Sequence, residues 1–200
     1  MRQQENKLFL RRVPLLASLD DQQLDRLATG SIRRNYPRGR TLVSEGEPSQ
    51  SLYILLAGRA KVQRSDSEGK EVILSVLSSG DWFGEMSMID DAPRSASIIT
   101  LESCDFMSID KGSFKAILEQ SPTVCMAIMR QLVARLREAD RKIATLALLD
   151  VYGRVARVLL DFSENVDGER IVKNRLPRQE IAKMIGASRE MVSRVMKGLE

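Results

Sequence analysis

The chain has 200 residues, of which 43% are hydrophobic and 29% charged, a composition typical of a folded globular protein. It contains no histidine and only two cysteines, so we expect no histidine-based active site and no metal centre. No apolar run reaches the roughly 18 residues of a membrane span. These features predict a cytoplasmic protein with no membrane partner, and the net charge of +4 permits nucleic-acid binding without establishing it.

The first half of the chain has the pattern of short strands. After a short helical segment, DDQQLDRLATG, residues 32–109 contain brief apolar runs separated by Gly, Pro, Ser and Asp. Such punctuation is typical of a small antiparallel barrel or sandwich. The segment SDSEGKE, residues 65–71, carries turn residues between two strand-like runs and predicts a hairpin tip.

A long helix is predicted from Pro122 to about Ala147, with Ser121 as its N-cap. Its apolar residues recur in steps of three and four, the pattern of a coiled-coil seam, which favours a parallel homodimer over a helix that only covers the barrel. The predicted interface residues are Met126, Met129, Val133, Leu136, Asp140 and Ile143. Because a carboxylate in an apolar seam is costly, Asp140 should either set the register or meet a polar partner or ligand.

The C-terminal segment predicts two short helices around a glycine. Residues 178–185 form the first, Gly186 ends it, and Ser188 caps a second helix that runs to about Leu199. This arrangement is a helix-turn-helix, whose second helix fits the DNA major groove.

One face of the second helix carries the groups that read DNA bases. Arg189 and Arg194 can donate to guanine, and Glu190 can accept from cytosine. Ser193 and Lys197 continue the same face, whereas we expect Val192, Val195 and Leu199 to point into a core. The alternative is that these charges form only the solvated surface of a helical hairpin.

Both halves of the chain resemble one family. The segment GDWFGEMSMIDDAPRSAS resembles the phosphate-binding segment of cyclic-nucleotide-binding domains, and RQEIAKMIGASREMVSRVMKGLE resembles the helix-turn-helix of the CRP/FNR superfamily of bacterial transcription regulators. The segments SLYILLAGRAKV and LALLDVYGRVARVLL extend the resemblance over almost the whole chain. The chain is therefore identified as a member of this superfamily.

The resemblance implies an α+β fold with three parts. Residues 1–120 would form a cyclic-nucleotide-binding jelly-roll β-barrel, 121–147 a dimerisation helix, and 148–200 a winged helix-turn-helix domain. Since the chain stops at Glu200, just after the second helix, we expect the wing to be missing or truncated. Pro177 stands where the family has a capping threonine, so that cap should be lost.

The resemblance also implies roles in ligand binding. Gly84 would let the backbone approach the ligand, and Glu85 would accept a hydrogen bond from the ribose 2′-hydroxyl. Arg94 would pair with the phosphate, and Ser95 would add a hydroxyl donor. A helical turn that starts at Met86 would direct N–H groups toward the phosphate. Trp82 and Phe83 would then belong to the barrel core.

Two positions on the long helix bear on which nucleotide is bound. Arg135 matches a family arginine near the ligand, whereas Ala139 and Asp140 replace the Thr-Ser pair that reads adenine across the dimer. Asp140 can accept from the adenine amino group, but a carboxylate suits guanine better. Cyclic AMP is the leading candidate, and cyclic GMP and cyclic di-GMP stay open. Iron–sulfur and haem branches are disfavoured because the required Cys and His residues are missing.

On the DNA side, Arg189, Glu190 and Arg194 match base-reading residues, which implies half-sites similar to TGTGA. Arg178 and Gln179 match positions that contact phosphate and position the domain. The implied partners are a palindromic DNA operator, a second copy of the chain and RNA polymerase.

The predicted function is a homodimeric transcription regulator gated by a cyclic nucleotide, with no prosthetic group and no catalytic residue. One alternative is a ligand-independent DNA-binding protein with a vestigial pocket. A less favoured one is a nucleotide-acting enzyme using Glu85, Asp90 and Asp91, since no histidine or nucleophile accompanies these carboxylates.

Overall fold

A computed structural model describes residues 2–48, 51–172 and 176–199 of the chain. Within these ranges every helix is too short or too polar to span a lipid bilayer. The fold combines antiparallel sheets with helices, which confirms the predicted α+β class with an N-terminal β domain, a long helix and a C-terminal helix-turn-helix.

The chain divides into two compact units. The first comprises Met1–Arg64 and Ser75–Val133, and the second comprises Ser65–Leu74 and Ala134–Glu200. The described residues of each unit form their own buried apolar clusters. The three-part division predicted from the sequence stays a prediction.

Most of the first unit is built from two four-stranded sheets with the orders β1-β8-β3-β6 and β2-β7-β4-β5, although the segment Ser65–Leu74, which includes the end of β4 and the start of β5, belongs to the second unit. Their strands are β1 (Ser31–Tyr36), β2 (Thr41–Val43), β3 (Ser51–Ala57), β4 (Ala60–Ser65), β5 (Glu71–Leu77), β6 (Trp82–Phe83), β7 (Ser97–Thr100) and β8 (Cys104–Asp110). The helices that accompany them are α1 (Arg2–Arg12), α2 (Asp21–Gly30), α3 (Glu85–Ile89), α4 (Lys111–Gln120) and the beginning of α5 (Pro122–Leu148).

Strand β3 separates two apolar cores because successive side chains on a strand point to opposite faces. Leu52 and Ile54 pack with the core formed with the helices, whereas Tyr53 and Leu55 belong to the core between the sheets. A register irregularity between Leu55 and Ala57 marks the end of the regular pairing with β8. Strand β6 adds to the edge of this sheet, with Tyr53 opposite Phe83, and so fixes where the following segment begins.

The predicted barrel core residues lie where the sequence placed them. Trp82 is 1% exposed and belongs to the core with the helices. Phe83 lies in the other core, where its ring stacks on Tyr53 at 5.3 Å between centroids. The segment between β6 and β7 is therefore anchored at its start by two buried aromatic rings on opposite faces.

Helix α5 begins at Pro122, as predicted, and ends at Leu148. Its first turn is capped by Ser121, whose hydroxyl oxygen accepts from the backbone N–H of Val124 at 3.4 Å. The predicted seam residues are largely solvent-accessible in the single chain; Leu136 and Ile143 are 62% and 64% exposed. Such a row of accessible apolar side chains on one helix is the feature on which the dimer prediction depends.

The second unit contains a three-helix core. Its elements are the end of α5, α6 (Val151–Asp161), β9 (Glu164–Val166), β10 (Glu169–Ile171), α7 (Arg178–Ile185) and α8 (Arg189–Leu199). Val155, Ile181 and Val192, one from each of the last three helices, are completely buried together. Val195 is partly buried against them, but Leu199 is 41% exposed, so its predicted core position is wrong. Leu199 is the last residue of α8.

A two-stranded hairpin, β9–β10, precedes the helix-turn-helix and was missed in the sequence analysis. Its loop is Asp167-Gly168, and both residues have positive φ, at 53° and 90°. Two positive φ values define the type I′ turn that joins two strands tightly, and Asp-Gly is one of its preferred sequences. The dipeptide was therefore an available signal.

The hairpin tip predicted at residues 65–71 is confirmed. The Asp66 carboxylate accepts from the backbone N–H groups of Glu68 and Lys70, at 3.0 and 2.8 Å, which closes the turn. This tip belongs to the second unit, where Glu71 forms an ion pair with Lys183 of α7.

Candidate functional site

The first site begins at Gly84, between β6 and α3. Gly84 has a backbone φ of 95°, which residues other than glycine rarely adopt. A Cβ at this position would lie 2.0 Å from Nη1 of Arg94 and 2.9 Å from the carbonyl oxygen of Ser51. Glycine is therefore required twice, for its backbone angle and for the space that the arginine occupies.

Arg94 is buried, with 6% of its surface exposed, which is unusual for a charged residue. Its Nη2 donates to the carbonyl oxygen of Ser51 at 2.7 Å, and its guanidinium carbon lies 5.6 Å from the centroid of the Tyr53 ring. Backbone hydrogen bonds to Gly46 and Glu47, at 2.8 and 2.9 Å, fix the main chain on both sides of it. Contacts with neighbouring residues therefore fix the Arg94 side chain in a buried position.

Nη1 of Arg94 is buried and has no hydrogen-bond acceptor among the described residues. A buried guanidinium nitrogen without an acceptor costs free energy, because it has lost its water without gaining a partner. An anion that reached Nη1 would remove this cost. The geometry therefore provides a donor that suits a carboxylate or phosphate oxygen.

Glu85 supplies the opposite charge beside the arginine. It is the first residue of α3, and only 2% of its surface is exposed. Burial lowers the pKa of the Arg94 guanidinium from its usual value, whereas the neighbouring Tyr53 and Glu85 raise it. A buried carboxylate next to a buried guanidinium offers one acceptor and one donor to a ligand that carries both a hydroxyl and an anion.

The remaining predicted residues of this segment lie at its outer edge. Met86 is 50% exposed, and Ser95 is exposed with its hydroxyl 3.9 Å from the Met86 sulfur. Asp90 accepts from the backbone N–H of Ala92 at 3.0 Å and so has a structural role.

Asp91 also has a structural partner rather than a catalytic one. Its carboxylate forms an ion pair with Lys111, and the hydrogen bond from that lysine lowers the pKa of Asp91. Asp90 and Asp91 therefore give no support to an acid–base pair with Glu85.

Two further predicted ligand residues lie in the second unit. Arg135 is half-buried on α5 and Asp140 is exposed on the same helix. Their roles in ligand binding stay predictions.

The second site is the turn between α7 and α8. Gly186 ends α7 with a φ of 63°, as predicted, and the N–H of Ala187 donates to the carbonyl oxygen of Ala182 at 3.0 Å. Ser188 then caps α8, its hydroxyl oxygen accepting from the N–H of Met191 at 3.2 Å. Three residues therefore join the two helices, the length expected of a helix-turn-helix.

The predicted base-reading face of α8 is accessible. Arg189, Glu190, Arg194 and Lys197 are exposed, and Ser193 is half-buried. Hydrogen bonds to its own backbone and to Ser188 lower the pKa of Glu190, which favours its charged form. The face can thus offer cationic donors and one carboxylate acceptor to a base edge.

At the start of α7, Arg178 is half-buried and Gln179 is exposed. Pro177 occupies the N-cap position of α7 and makes no side-chain capping hydrogen bond there.

Sequence reasoning missed two residues that shape the first site, Ser51 and Tyr53. They lie on one face of β3, two positions apart, and they contact Arg94 through a carbonyl and a ring. The alternation of the strand indicated that they share a face, but not that Arg94, more than 40 residues later, lies against it.

Two protein families match the chain in the order of these sites. The cyclic nucleotide-binding domain family matches residues 33–121, and the Crp-like helix-turn-helix domain family matches residues 153–200. The cAMP-activated global transcriptional regulator CRP of Haemophilus influenzae is 35% identical over 92% of this chain and 84% of its own length. The chain belongs to the CRP family. It is a cyclic-nucleotide-binding transcription regulator.

Other relatives agree with this membership. The CRP-like cAMP-activated global transcriptional regulator of Mycobacterium tuberculosis is 35% identical over 81% of this chain and 74% of its own length. The c-di-GMP responsive global regulator CLP of Xanthomonas campestris has a solved structure with a TM-score of 0.77 and 30% identity, covering 90% of this chain and 91% of its own.

The catabolite activator protein of Thermus thermophilus is also structurally similar, with a TM-score of 0.59 and 31% identity over 93% of this chain and 86% of its own. Since the relatives are transcriptional regulators, this CRP-family chain acts as a regulator and not as an enzyme.

Proposed function

We propose that the protein is a homodimeric transcription regulator whose DNA binding is gated by a cyclic nucleotide, with cyclic AMP as the effector. The observation that carries the proposal is the buried Arg94, whose Nη1 has no acceptor among the described residues, beside the buried Glu85. A cyclic nucleotide carries an anionic phosphate and a ribose hydroxyl on one rigid ring system. The phosphate would accept from Arg94, and the 2′-hydroxyl would donate to Glu85.

Gly84, Met86 and Ser95 complete the proposed site. Gly84 leaves the space that the Arg94 guanidinium occupies, and the exposed Ser95 hydroxyl would be a second donor to the phosphate. Arg135 and Asp140 are proposed to contact the base from α5. Asp140 would accept from an exocyclic amino group, which both adenine and guanine possess.

Cyclic AMP is the leading candidate because several relatives, at about 35% identity, are cAMP-activated regulators. Cyclic di-GMP is an alternative because the c-di-GMP responsive regulator CLP is 30% identical to this chain. Cyclic GMP is a second alternative because the Asp140 carboxylate could accept hydrogen bonds from guanine.

Isothermal titration calorimetry with cyclic AMP, cyclic GMP and cyclic di-GMP tests the site and its specificity together. We expect saturable binding of cyclic AMP, lost in Arg94→Ala and weakened in Glu85→Gln, which keeps the shape of the side chain. Arg64→Ala is the matched control, since Arg64 is 57% exposed and pairs only with Glu45 among the described residues. Equal binding by wild type and Arg94→Ala, or no binding of any of the three, would contradict the proposed site and favour a vestigial pocket.

The homodimer is proposed from the accessible apolar row on α5. Met126, Met129, Val133, Leu136 and Ile143 are each between 45% and 64% exposed, and all belong to the predicted seam. A second copy would cover this row and remove it from water. Sedimentation velocity should show a dimer for the wild type and for Ala134→Glu, on another face of the helix, but monomers for Leu136→Glu. A wild-type monomer at micromolar concentration would refute the dimer.

A dimer of helix-turn-helix units would bind a palindromic operator, with recognition helices in major grooves about 34 Å apart. We propose that Arg189, Glu190, Ser193, Arg194 and Lys197 face the bases. At the start of α7, Arg178 and Gln179 would contact phosphates. Ser188, which precedes α8, would lie near the DNA.

The cyclic nucleotide must bind the DNA-competent state more tightly than the other state, because otherwise it shifts no population. Fluorescence anisotropy with a duplex carrying inverted TGTGA half-sites should show tighter binding in the presence of cyclic AMP. An identical affinity with and without the nucleotide would contradict gating. RNA polymerase is the proposed partner through which the bound dimer acts on transcription.

A further inference from the structure

Helix α6 places an arginine behind the helix-turn-helix. Arg154 is half-buried, and its Nη1 donates to the carbonyl oxygen of Ile185 at 2.9 Å. Its Nε is buried and has no acceptor in the part of the chain that the structure describes. Burying part of the Arg154 guanidinium costs desolvation free energy. The hydrogen bond from its charged Nη1 to the Ile185 carbonyl offsets part of this cost.

The acceptor is the last residue of α7. The final carbonyls of an α-helix have no partner within the helix, and they carry the negative end of the helix dipole. Arg154 supplies both a donor and a positive charge at this end. It therefore stabilises the terminus of α7 from a neighbouring helix, rather than from within the turn.

The position of Ile185 determines where α8 begins. The Ile185 side chain is 3% exposed and packs in the same core as Val155 and Val192. Only Gly186, Ala187 and Ser188 separate it from the first residue of α8. A change in the direction of the Ile185 carbonyl would be transmitted through this short connection to the recognition helix.

Nearby polar groups do not duplicate this role. The N–H groups of Gly186 and Ala187 both donate to the carbonyl oxygen of Ala182, one turn earlier in α7. Arg157, one turn further along α6, is directed elsewhere and pairs with Asp161, with Nε 3.1 Å from the carboxylate oxygen. Among the described residues, the hydrogen bond from α6 to the Ile185 carbonyl oxygen is thus made by Arg154.

We propose that Arg154 is a positioning residue for DNA recognition, which holds the α7–α8 turn so that the base-reading face of α8 keeps a fixed orientation. The effect on DNA recognition rests on the proposed DNA binding, but the claim that Arg154 holds the α7–α8 turn does not. Arg154 itself does not touch the bases. It should contribute to discrimination between sequences more than to general attraction to DNA, because phosphate contacts tolerate a small rotation of α8 and base contacts do not.

The test compares Arg154→Met, Arg154→Lys and the control Arg157→Met in the 200-residue chain. Methionine keeps most of the volume and removes the donor, whereas lysine restores a cationic donor. Amide hydrogen exchange should be about tenfold faster at residues 186–192 in Arg154→Met, with α6 unchanged, and should return toward the wild type in Arg154→Lys. Arg157→Met should leave this segment unchanged.

The second measurement is the ratio of affinities for a duplex with inverted TGTGA half-sites and a scrambled duplex of equal length, at one salt concentration. We expect this ratio to fall about tenfold in Arg154→Met, with binding to the scrambled duplex nearly unchanged. Equal losses on both duplexes, or unchanged exchange at residues 186–192, would overturn the inference.

The two arms separate failure of the inference from failure of the proposed function. If the wild type shows no preference between the duplexes, the proposed base-reading role fails, and hydrogen exchange alone decides whether Arg154 holds the turn. If Arg154→Met loses protection throughout α6, α7 and α8, Arg154→Lys becomes the deciding variant. Uniform loss of protection in Arg154→Lys as well would mean that the residue serves only the stability of the unit, which overturns a positioning role.

Discussion

Arg94 in the first unit is 6% exposed and contacts the carbonyl of Ser51 and the ring of Tyr53, whereas Arg189 and Arg194 on α8 of the second unit are exposed to solvent. Both places contain arginine side chains, and they lie in segments that match the cyclic nucleotide-binding domain family and the Crp-like helix-turn-helix domain family. The buried arginine has a donor without an acceptor among the described residues, whereas the exposed arginines are accessible to solvent.

This difference shows how much each site reveals about its ligand. A buried charge is costly without specific partners, so the groups packed around Arg94 limit which anions could reach it. An exposed charged face imposes little cost when empty, so it indicates the kind of partner but not its sequence. Ligand binding at the first site and DNA binding at the second should consequently respond differently to salt, to added side-chain volume and to single substitutions.

Salt should separate the two sites most clearly. Raising the salt concentration from about 50 to about 200 mM should weaken DNA binding about a thousandfold, because contacts to six or more phosphates release condensed counterions. Binding of the cyclic nucleotide should change by less than about threefold, since a buried charge pair is screened much less. Anisotropy and calorimetry over the same salt series measure the two effects, and parallel slopes would remove the distinction between the sites.

Gly84→Ala should weaken cyclic-nucleotide binding about a hundredfold, or about 2.7 kcal/mol, because the new methyl group occupies the position of the Arg94 guanidinium. Gly80→Ala is the matched control: its φ is 94°, but a Cβ there meets nothing within 4 Å. Both variants should lose about 1–2 kcal/mol of stability from the positive φ. Calorimetry and thermal unfolding measure the two quantities, and equal binding by both variants would show that the space beside Arg94 is not needed.

Arg189→Ala should reduce affinity for the inverted TGTGA duplex by about 1–3 kcal/mol and relax specificity at one base pair. The exposed Arg64→Ala, in the first unit, removes the same charge and should change affinity only slightly. Anisotropy titrations against duplexes substituted at each half-site position measure both effects. An equal loss for the two variants would mean that α8 contributes general charge rather than base reading.

The smallest expected effect compares two helix caps. Hydrogen bonds from Ser113 lower the pKa of Asp110, the N-cap of α4, so the charged cap stabilises the fold above the unfolded carboxyl pKa. This contribution is lost as the pH falls through the folded pKa. Asp110→Ala should cost about 1 kcal/mol at pH 7 and less in acid.

The control for this cap is Asp110→Asn, which keeps an acceptor without the charge and should show a flatter pH dependence. Ser121→Ala on α5 should cost a similar amount at every pH, because a hydroxyl cap does not titrate in this range. Urea unfolding at several pH values measures these differences. A pH-independent cost for Asp110→Ala would contradict the assigned role of the carboxylate.

Local signals in the sequence were sufficient to place much of the fold. The caps at Ser121 and Ser188, the break at Gly186 and the turn at residues 65–71 each depend on neighbours a few residues away, and the structure has all four. The hairpin at Asp167-Gly168 was equally local and was missed only because its turn dipeptide was not used.

By itself, the sequence determined the family, the order of the two sites and which residues are chemically suited to a phosphate or a base, because these depend on residue type and short-range spacing. Only the tertiary structure decided that Arg94 is buried against Ser51 and Tyr53, that Leu199 is exposed, and that Arg154 reaches the end of α7. Each of these facts depends on packing between elements distant in the chain, and packing decides which polar atoms lose their water.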